Sequence, residues 1–286
     1  MLRLYSSLTK FSIVIFLLLA GLAGYLMSFS FESKFDWLHL LSFIGGLYFL
    51  SSGSLTLNQV QEWRKDFRML RTKSRPIPSG KIKPTTAGLF AFSYLLVGTH
   101  LLFGVSQLSG ILGLMTIFLY NGLYVYWWKP KWIFAAIPGA LAGALPVTIG
   151  YAANSSQIFS VNSIYLFLLL FFWQAPHFWI LAIKFCQDYE QGGFPVLPSI
   201  LGIKKTIYHI GIWILLYLGT ALVSPLFTQV SWFFLVLLIP LSLKVLHDFR
   251  LFLKSNGTQR MRSFYLWLIF SLLIFLYTPV LNQWFF

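Results

Sequence analysis

Cysteine occurs once in 286 residues, at Cys186, which excludes an internal disulfide and argues against a cysteine-based metal cluster. Acidic residues are nearly as scarce, seven Asp and Glu against 21 Lys and Arg, and charged residues make up only 10% of the chain. A chain with so little charge, 58% hydrophobic and 19% aromatic, is not a soluble domain. No short apolar segment with a small-residue cleavage site stands at the start, so the first apolar run, 11–29, reads as a retained span rather than a removed signal. The net charge of +14 formally invites nucleic acid. The basic residues, however, fall in short loops between apolar runs, the signature of membrane orientation, and no nucleic-acid partner is expected.

What the chain has instead is apolar runs of about 20 residues, the length a spanning helix requires. Nine are read, near 11–29, 37–58, 84–105, 109–128, 132–152, 160–184, 206–228, 230–248 and 263–283, within a single domain covering 1–286. With the N-terminus in the cytoplasm, every basic residue except Lys34 falls on the inner side, 20 of the 21. That asymmetry places the C-terminus outside and agrees with an odd number of spans. Outer connections are short, including a tight turn near Thr228 to Val230, while inner ones carry the polar chemistry. Five of the seven acidic residues lie inside, four of them in two clusters, Glu62 with Asp66 and Asp188 with Glu190.

The stretch Asn58 to Pro84 holds eight of the basic residues. Asn58, Glu62 and Asp66 recur every fourth position, so on a helix they share one face, drifting by about 40° per step. Three oxygen-bearing side chains followed at once by Arg68, Arg71, Lys73 and Arg75 fit a divalent cation beside a phosphorylated ligand. They also fit a charged helix end and an anchor loop; spacing alone leaves both open. In the sixth run, His177, Lys184 and Asp188 return to one face within about 20° if the helix is regular. An ionisable side chain at that depth is a functional candidate, since burying it in lipid is costly. Tyr124 and Lys129 reach the inner surface at the end of the fourth run, beside Trp127, Trp128 and Trp132, which read as interfacial anchors. The small residues Gly139, Ala140 and Gly143 of the fifth run read as packing. A faint echo, PSGKIKPTT from Pro78 and PSILGIKKT from Pro198, pairs the second and third spans with the sixth and seventh about a central cavity.

These residues resemble a known family. N-x3-E-x3-D-x2-M-x-RT-x2-RP-x-PSG, from Asn58 to Gly80, resembles the first motif of the UbiA-type membrane prenyltransferases, in their protoheme IX farnesyltransferase branch. W-x2-PHF-x9-DY-x3-G-x-P-x-LP, from Trp173 to Pro198, resembles that branch's second motif, and Y-x4-K at Tyr124 and Lys129 is similar as well. The resemblance implies an all-α membrane protein with nine helices around a central cavity and the active site on the cytoplasmic side of a bacterial inner membrane. It implies transfer of a farnesyl group from farnesyl diphosphate to heme b with Mg2+. Asn58, Glu62, Asp66 and Asp188 would hold the metal; Arg71, Lys73, Arg75, Tyr124, Lys129 and Lys184 would hold the diphosphate. His177 and Trp173 would face the heme. Heme A synthase or terminal-oxidase assembly proteins are the implied protein partners. The family usually carries Asp where this chain has Glu62, one methylene longer. That departure leaves reduced activity, an altered prenyl donor or a non-catalytic heme-binding assembly paralogue open; the other alternative, on the same scaffold, is prenylation of an aromatic or quinone precursor.

Overall fold

Backbone polar groups in a lipid interior must be satisfied within the segment, and a helix does this for every residue it contains. The computed structural model, which describes residues 2–30, 34–228 and 231–285, has no strand among those residues. A short amphipathic helix, α1 (Leu2–Thr9), leads into α2 (Phe11–Met27). There follow α3 (Trp37–Asp66), α4 (Pro84–Val105), α5 (Gln107–Lys131), α6 (Ala136–Asn154) and α7 (Val161–Lys184). After the one-and-a-half-turn α8 (Cys186–Gln191) come α9 (Leu197–Leu222), α10 (Leu235–Lys254) and α11 (Met261–Phe285).

Seven of these, α3 to α7, α9 and α11, are long and apolar enough to cross a membrane. The two other runs read from the sequence are helical but weaker. Helix α2 has only 17 residues, and the C-terminal half of α10 carries Lys244, His247, Asp248, Arg250 and Lys254, which interrupt its apolar window. The outer turn expected near Thr228 to Val230 falls largely on residues 229 and 230, outside the described residues.

Helix boundaries follow local chemistry. Asp36 caps α3 by accepting from the backbone N–H groups of Leu38 and His39 at 2.8 and 3.2 Å. Ser106 sits in extended conformation between α4 and α5, accepting from Ser109 N–H at 3.0 Å and donating to the Ala152 carbonyl at 2.7 Å. Pro84 and Pro198 stand in the first turns of α4 and α9, where a missing N–H costs nothing.

Helix α3 packs along α4, and α7 packs along α9. Helices α2 and α6 approach backbone to backbone. A Cβ at Gly24 would lie 1.9 Å from the Val147 carbonyl oxygen, and one at Gly150 would lie 1.9 Å from that of Gly21. Without a strong hydrophobic drive between helices in lipid, such small-residue contacts are what hold spans together. One aromatic and aliphatic core joins α2, α6, α7, α9, α10 and α11; a second lies among α2, α3, α4, α5 and α6. Between them the helices leave a cavity of about 620 Å³.

One sequence expectation about geometry does not hold. Helix α7 ends at Lys184, and Phe185 leaves the helical region with φ −116° and ψ 29° before α8 begins. The register linking His177, Lys184 and Asp188 is therefore broken between the second and third of them.

Candidate functional site at the charged end of the cavity

Regular helix geometry over the whole of α3 delivers Asn58, Glu62 and Asp66 to one wall of the cavity, all three buried. Each faces a cation from a different part of the chain. Lys10 Nζ donates to Asn58 Oδ1 at 2.7 Å. Lys129 Nζ donates to both oxygens of Glu62 at 2.6 Å, and Arg75 donates to Asp66 Oδ2 at 2.6 Å. Asp66 also uses its backbone, whose carbonyl accepts from Thr72 Oγ1 at 2.8 Å and fixes the first turn of the following loop.

That loop, 67–83, is a chain of turns that brings basic side chains back over the end of α3. Arg71 and Arg75 line the cavity. The Arg71 guanidinium lies 4.8 Å from the Phe185 ring and 5.8 Å from that of Tyr189, which holds a long flexible side chain in place. Lys65 and Lys129 approach the Phe194 ring at 4.4 and 4.5 Å.

Asp188 has a different task from the other three. Its Oδ1 accepts from Leu70 N–H at 2.8 Å and its Oδ2 from Arg71 N–H at 3.3 Å, so it ties α8 to the loop that carries Arg71 and Arg75. It is not among the cavity-lining residues, and neither are Lys73 and Lys184. Lys73 is exposed, and Lys184, also exposed, lies 5.2 Å from the Phe185 ring.

Helix α5 supplies Tyr120, Tyr124 and Lys129 to the same end. The two tyrosine rings stack at 5.6 Å. Gly139 in α6 makes room for the second, since a Cβ there would meet the Tyr124 ring at 2.8 Å. The glycine read as packing is thus also a seat for a site side chain.

The other end of the cavity is aromatic. Phe16, Trp173, His177 and Tyr265 form a continuous stack with centroid separations of 5.2, 4.5 and 5.0 Å. Trp173 donates to the Leu268 carbonyl at 2.8 Å, which fixes its plane. His177 Nε2 lies 3.5 Å from the Tyr265 hydroxyl, and its buried Nδ1 has no hydrogen-bond partner among the described residues.

Sequence reasoning missed Lys10, counting it only as a loop charge. It faces inward because it takes a left-handed conformation, φ 53° and ψ 52°, at the junction of α1 and α2, folding α1 back along α3. Burial, and then the neighbouring Arg75, push its ammonium from the ordinary 10.5 down to about 7. Tyr265, from the last helix, was also missed; nothing in its local sequence marks it.

The donor set suits a hard cation. Two carboxylates and an amide oxygen lie on successive turns of one helix, all oxygen, as Mg2+ prefers. Among the described residues no three His, Cys, Asp or Glu side chains come together. The surrounding Lys10, Arg71, Arg75 and Lys129 are the complement of a multiply charged anion.

Residues 16–277 match the model of the UbiA prenyltransferase family. The chain is 53% identical over 284 residues to a protoheme IX farnesyltransferase of Bdellovibrio bacteriovorus, covering 99% of this chain and 97% of that protein. A protoheme IX farnesyltransferase of Leptospira biflexa is 34% identical over 218 residues, 76% of each chain. Among solved structures, a digeranylgeranylglyceryl phosphate synthase superposes with a TM-score of 0.78 at 20% identity, covering 98% of each chain. A UbiA homologue from Archaeoglobus fulgidus bound to DMAPP and Mg2+ superposes with a TM-score of 0.63 at 16% identity, over 94% of this chain and 99% of that one.

Proposed function

Because the chain belongs to the UbiA prenyltransferase family, we propose that it transfers a farnesyl group from farnesyl diphosphate to a vinyl group of protoheme IX, giving heme O. One observation carries this reading: a single cavity has an oxygen-donor and cation cluster at one end and an aromatic stack around His177 at the other. The first end suits a metal-bound diphosphate, the second a flat, apolar acceptor. The 53% identity to a protein named protoheme IX farnesyltransferase supports that acceptor over an aromatic or quinone precursor.

Asn58, Glu62 and Asp66 would hold Mg2+, which when bound neutralises charge on the departing diphosphate. Lys10, Arg71, Arg75 and Lys129 then bind the phosphate oxygens, with Tyr124 beside them. They are gathered at the site before substrate arrives, and on binding Lys10, Arg75 and Lys129 would exchange their bonds to Asn58, Asp66 and Glu62 for phosphate oxygens as those three take the metal. Asp188 orders the loop that presents Arg71 and Arg75. Serving also as a metal ligand from the opposite side would require its carboxylate to give up the Leu70 and Arg71 amides. Lys73 and Lys184, exposed and outside the cavity lining, would meet the diphosphate on entry rather than in its bound state.

Breaking the allylic C–O bond leaves a delocalised carbocation that water would quench. Apolar side chains of the cavity wall, among them Leu47, Leu50, Phe178 and Ile269, would exclude water from that region. Trp173 and Tyr265 flank His177 and orient its ring. Its free Nδ1 is available to the porphyrin, through the iron or a propionate.

The nine long helices among the described residues are read as nine spans, with the N-terminus in the cytoplasm, on the strength of the 20-to-1 distribution of basic residues. The charged end of the cavity then opens to the cytoplasmic face of a bacterial inner membrane. Expression in a host lacking heme O, followed by chromatography of extracted hemes, tests the proposal. A farnesylated heme is expected; its absence, with the protein inserted and folded, would overturn it.

A further inference from the structure

Tyr124 and Lys129 are five residues apart, a spacing that an α-helix turns through about 140°, onto different faces. Both nevertheless line the cavity. The reason is that residues Phe118–Trp128 of α5 are π-helical, and the Lys129 backbone N–H donates to the Tyr124 carbonyl, five residues back. In that geometry residues five apart lie one turn above another. A π-helical run of 11 residues is long for a conformation found mostly as single turns at functional sites.

Something must hold the wider register, and a buried clamp from α3 does so at its centre. Asn121, 3% exposed, accepts from Ser54 Oγ at 2.6 Å and donates through Nδ2 to the Ser54 carbonyl at 3.0 Å. The same Nδ2 donates to Gln61 Oε1 at 3.1 Å, and Gln61 Nε2 returns a bond to the Asn121 carbonyl at 2.9 Å. Ser54 and Gln61 flank Asn58 on α3, and Gln61 immediately precedes Glu62. The clamp therefore indexes α5 directly against the turns that carry the oxygen donors. The two bonds between Ser54 and Asn121 are fully buried and the two to Gln61 partly so, and leaving the buried groups unpaired is costly.

We propose that Asn121, with Ser54 and Gln61, is a positioning residue: it locks the 118–128 stretch in π-helical register and so seats Lys129 on Glu62, with Tyr124 one turn behind. The register itself does not depend on the reaction; its value for diphosphate binding rests on the function proposed above.

The test uses a second change that restores spacing rather than contacts. Asn121→Leu keeps the volume but removes the amide, and the stretch relaxes toward α-helix, swinging Lys129 off Glu62. Deleting Tyr126, which is 66% exposed, in that background leaves Tyr124 and Lys129 four apart, on one face of an α-helix. Register is read without ligand, as the coupling between Glu62→Gln and Lys129→Met in a double-mutant cycle of thermal stability. Coupling is expected in the parent, absent with Asn121→Leu, and present again after the deletion. In parallel, affinity for farnesyl diphosphate is expected to fall on the order of tenfold to a hundredfold with Asn121→Leu and to recover on deletion. Unchanged coupling in Asn121→Leu, or no recovery on deletion, overturns the inference and assigns the clamp to packing alone. A parent that shows the coupling but binds no farnesyl diphosphate overturns the proposed reaction and leaves the register supported.

Discussion

Lys129 Nζ lies 2.6 Å from each carboxylate oxygen of Glu62, a contact that joins positions 67 residues apart at the heart of the charged cluster. By the resemblance read in the sequence, the family motif has Asp at the position of Glu62. The extra methylene carries its carboxylate across the cavity wall to the lysine. The departure thus has a structural use, and it sets up the first prediction.

Removing either partner alone strands a charge in a site where the side chains are 6% and 21% exposed. Lys129→Met is expected to destabilise by about 3–5 kcal/mol, read as a lowered thermal midpoint in detergent. The double variant Glu62→Gln with Lys129→Met should regain much of that stability while remaining inactive. Glu62→Asp keeps the charge and should preserve or raise turnover; a large loss would mean the site is built around the longer side chain.

Asp66→Ala should abolish turnover with the protein still inserted, because Asp66 is both an oxygen donor and the anchor of Arg75. Asp188→Ala should abolish it by another route. Losing the acceptor for Leu70 and Arg71 frees the loop, so amide hydrogen exchange at those two residues should accelerate. Asp188→Asn retains one acceptor oxygen and should keep part of the activity. Activity near wild type in either alanine variant would remove that residue from the site.

Lys10 gives the site a pH dependence. Held near 7, it is largely protonated below that value and neutral above it, and only the ammonium attracts diphosphate. Affinity for farnesyl diphosphate, taken relative to Lys10→Met so that titration of the ligand cancels, should fall as pH rises through about 7. For stability the sense reverses. The unfolded lysine keeps its proton up to about 10.5, so the lowered value costs stability in full below about 7, and the cost shrinks as pH rises between the two. A ratio that is flat with pH would contradict the assignment.

His177→Ala should weaken heme binding, followed by the absorbance change on titrating heme b into the detergent-solubilised protein, and leave farnesyl diphosphate affinity within about twofold. Equal loss of both ligands would indicate a collapsed cavity rather than a lost contact.

Which of these residues could be read from the sequence depended on whether regular geometry persists. Asn58, Glu62 and Asp66 lie on uninterrupted α-helix, so spacing alone put them on one face. The same rule failed for Lys184 and Asp188, because Phe185 breaks the helix between them. It would have separated Tyr124 from Lys129, whose common face depends on a π-helical stretch that no local motif announces. Lys10 was hidden differently: its direction is set by one left-handed residue and by the packing of α1 on α3, both outside the reach of hydropathy. The helical class and the clustering of charge between apolar runs were legible because lipid keeps charge out of every span. The contacts between spans were not, since small and aromatic residues recur throughout the chain.

The most direct test is transfer in vitro. Purified protein in detergent, supplied with heme b, labelled farnesyl diphosphate and Mg2+, should convert label into a heme fraction of farnesylated mass, and Asp66→Asn should reduce that conversion to background. No labelled heme from the wild type, or equal labelling by Asp66→Asn, would contradict the assignment of this cavity as a farnesyl-transfer site.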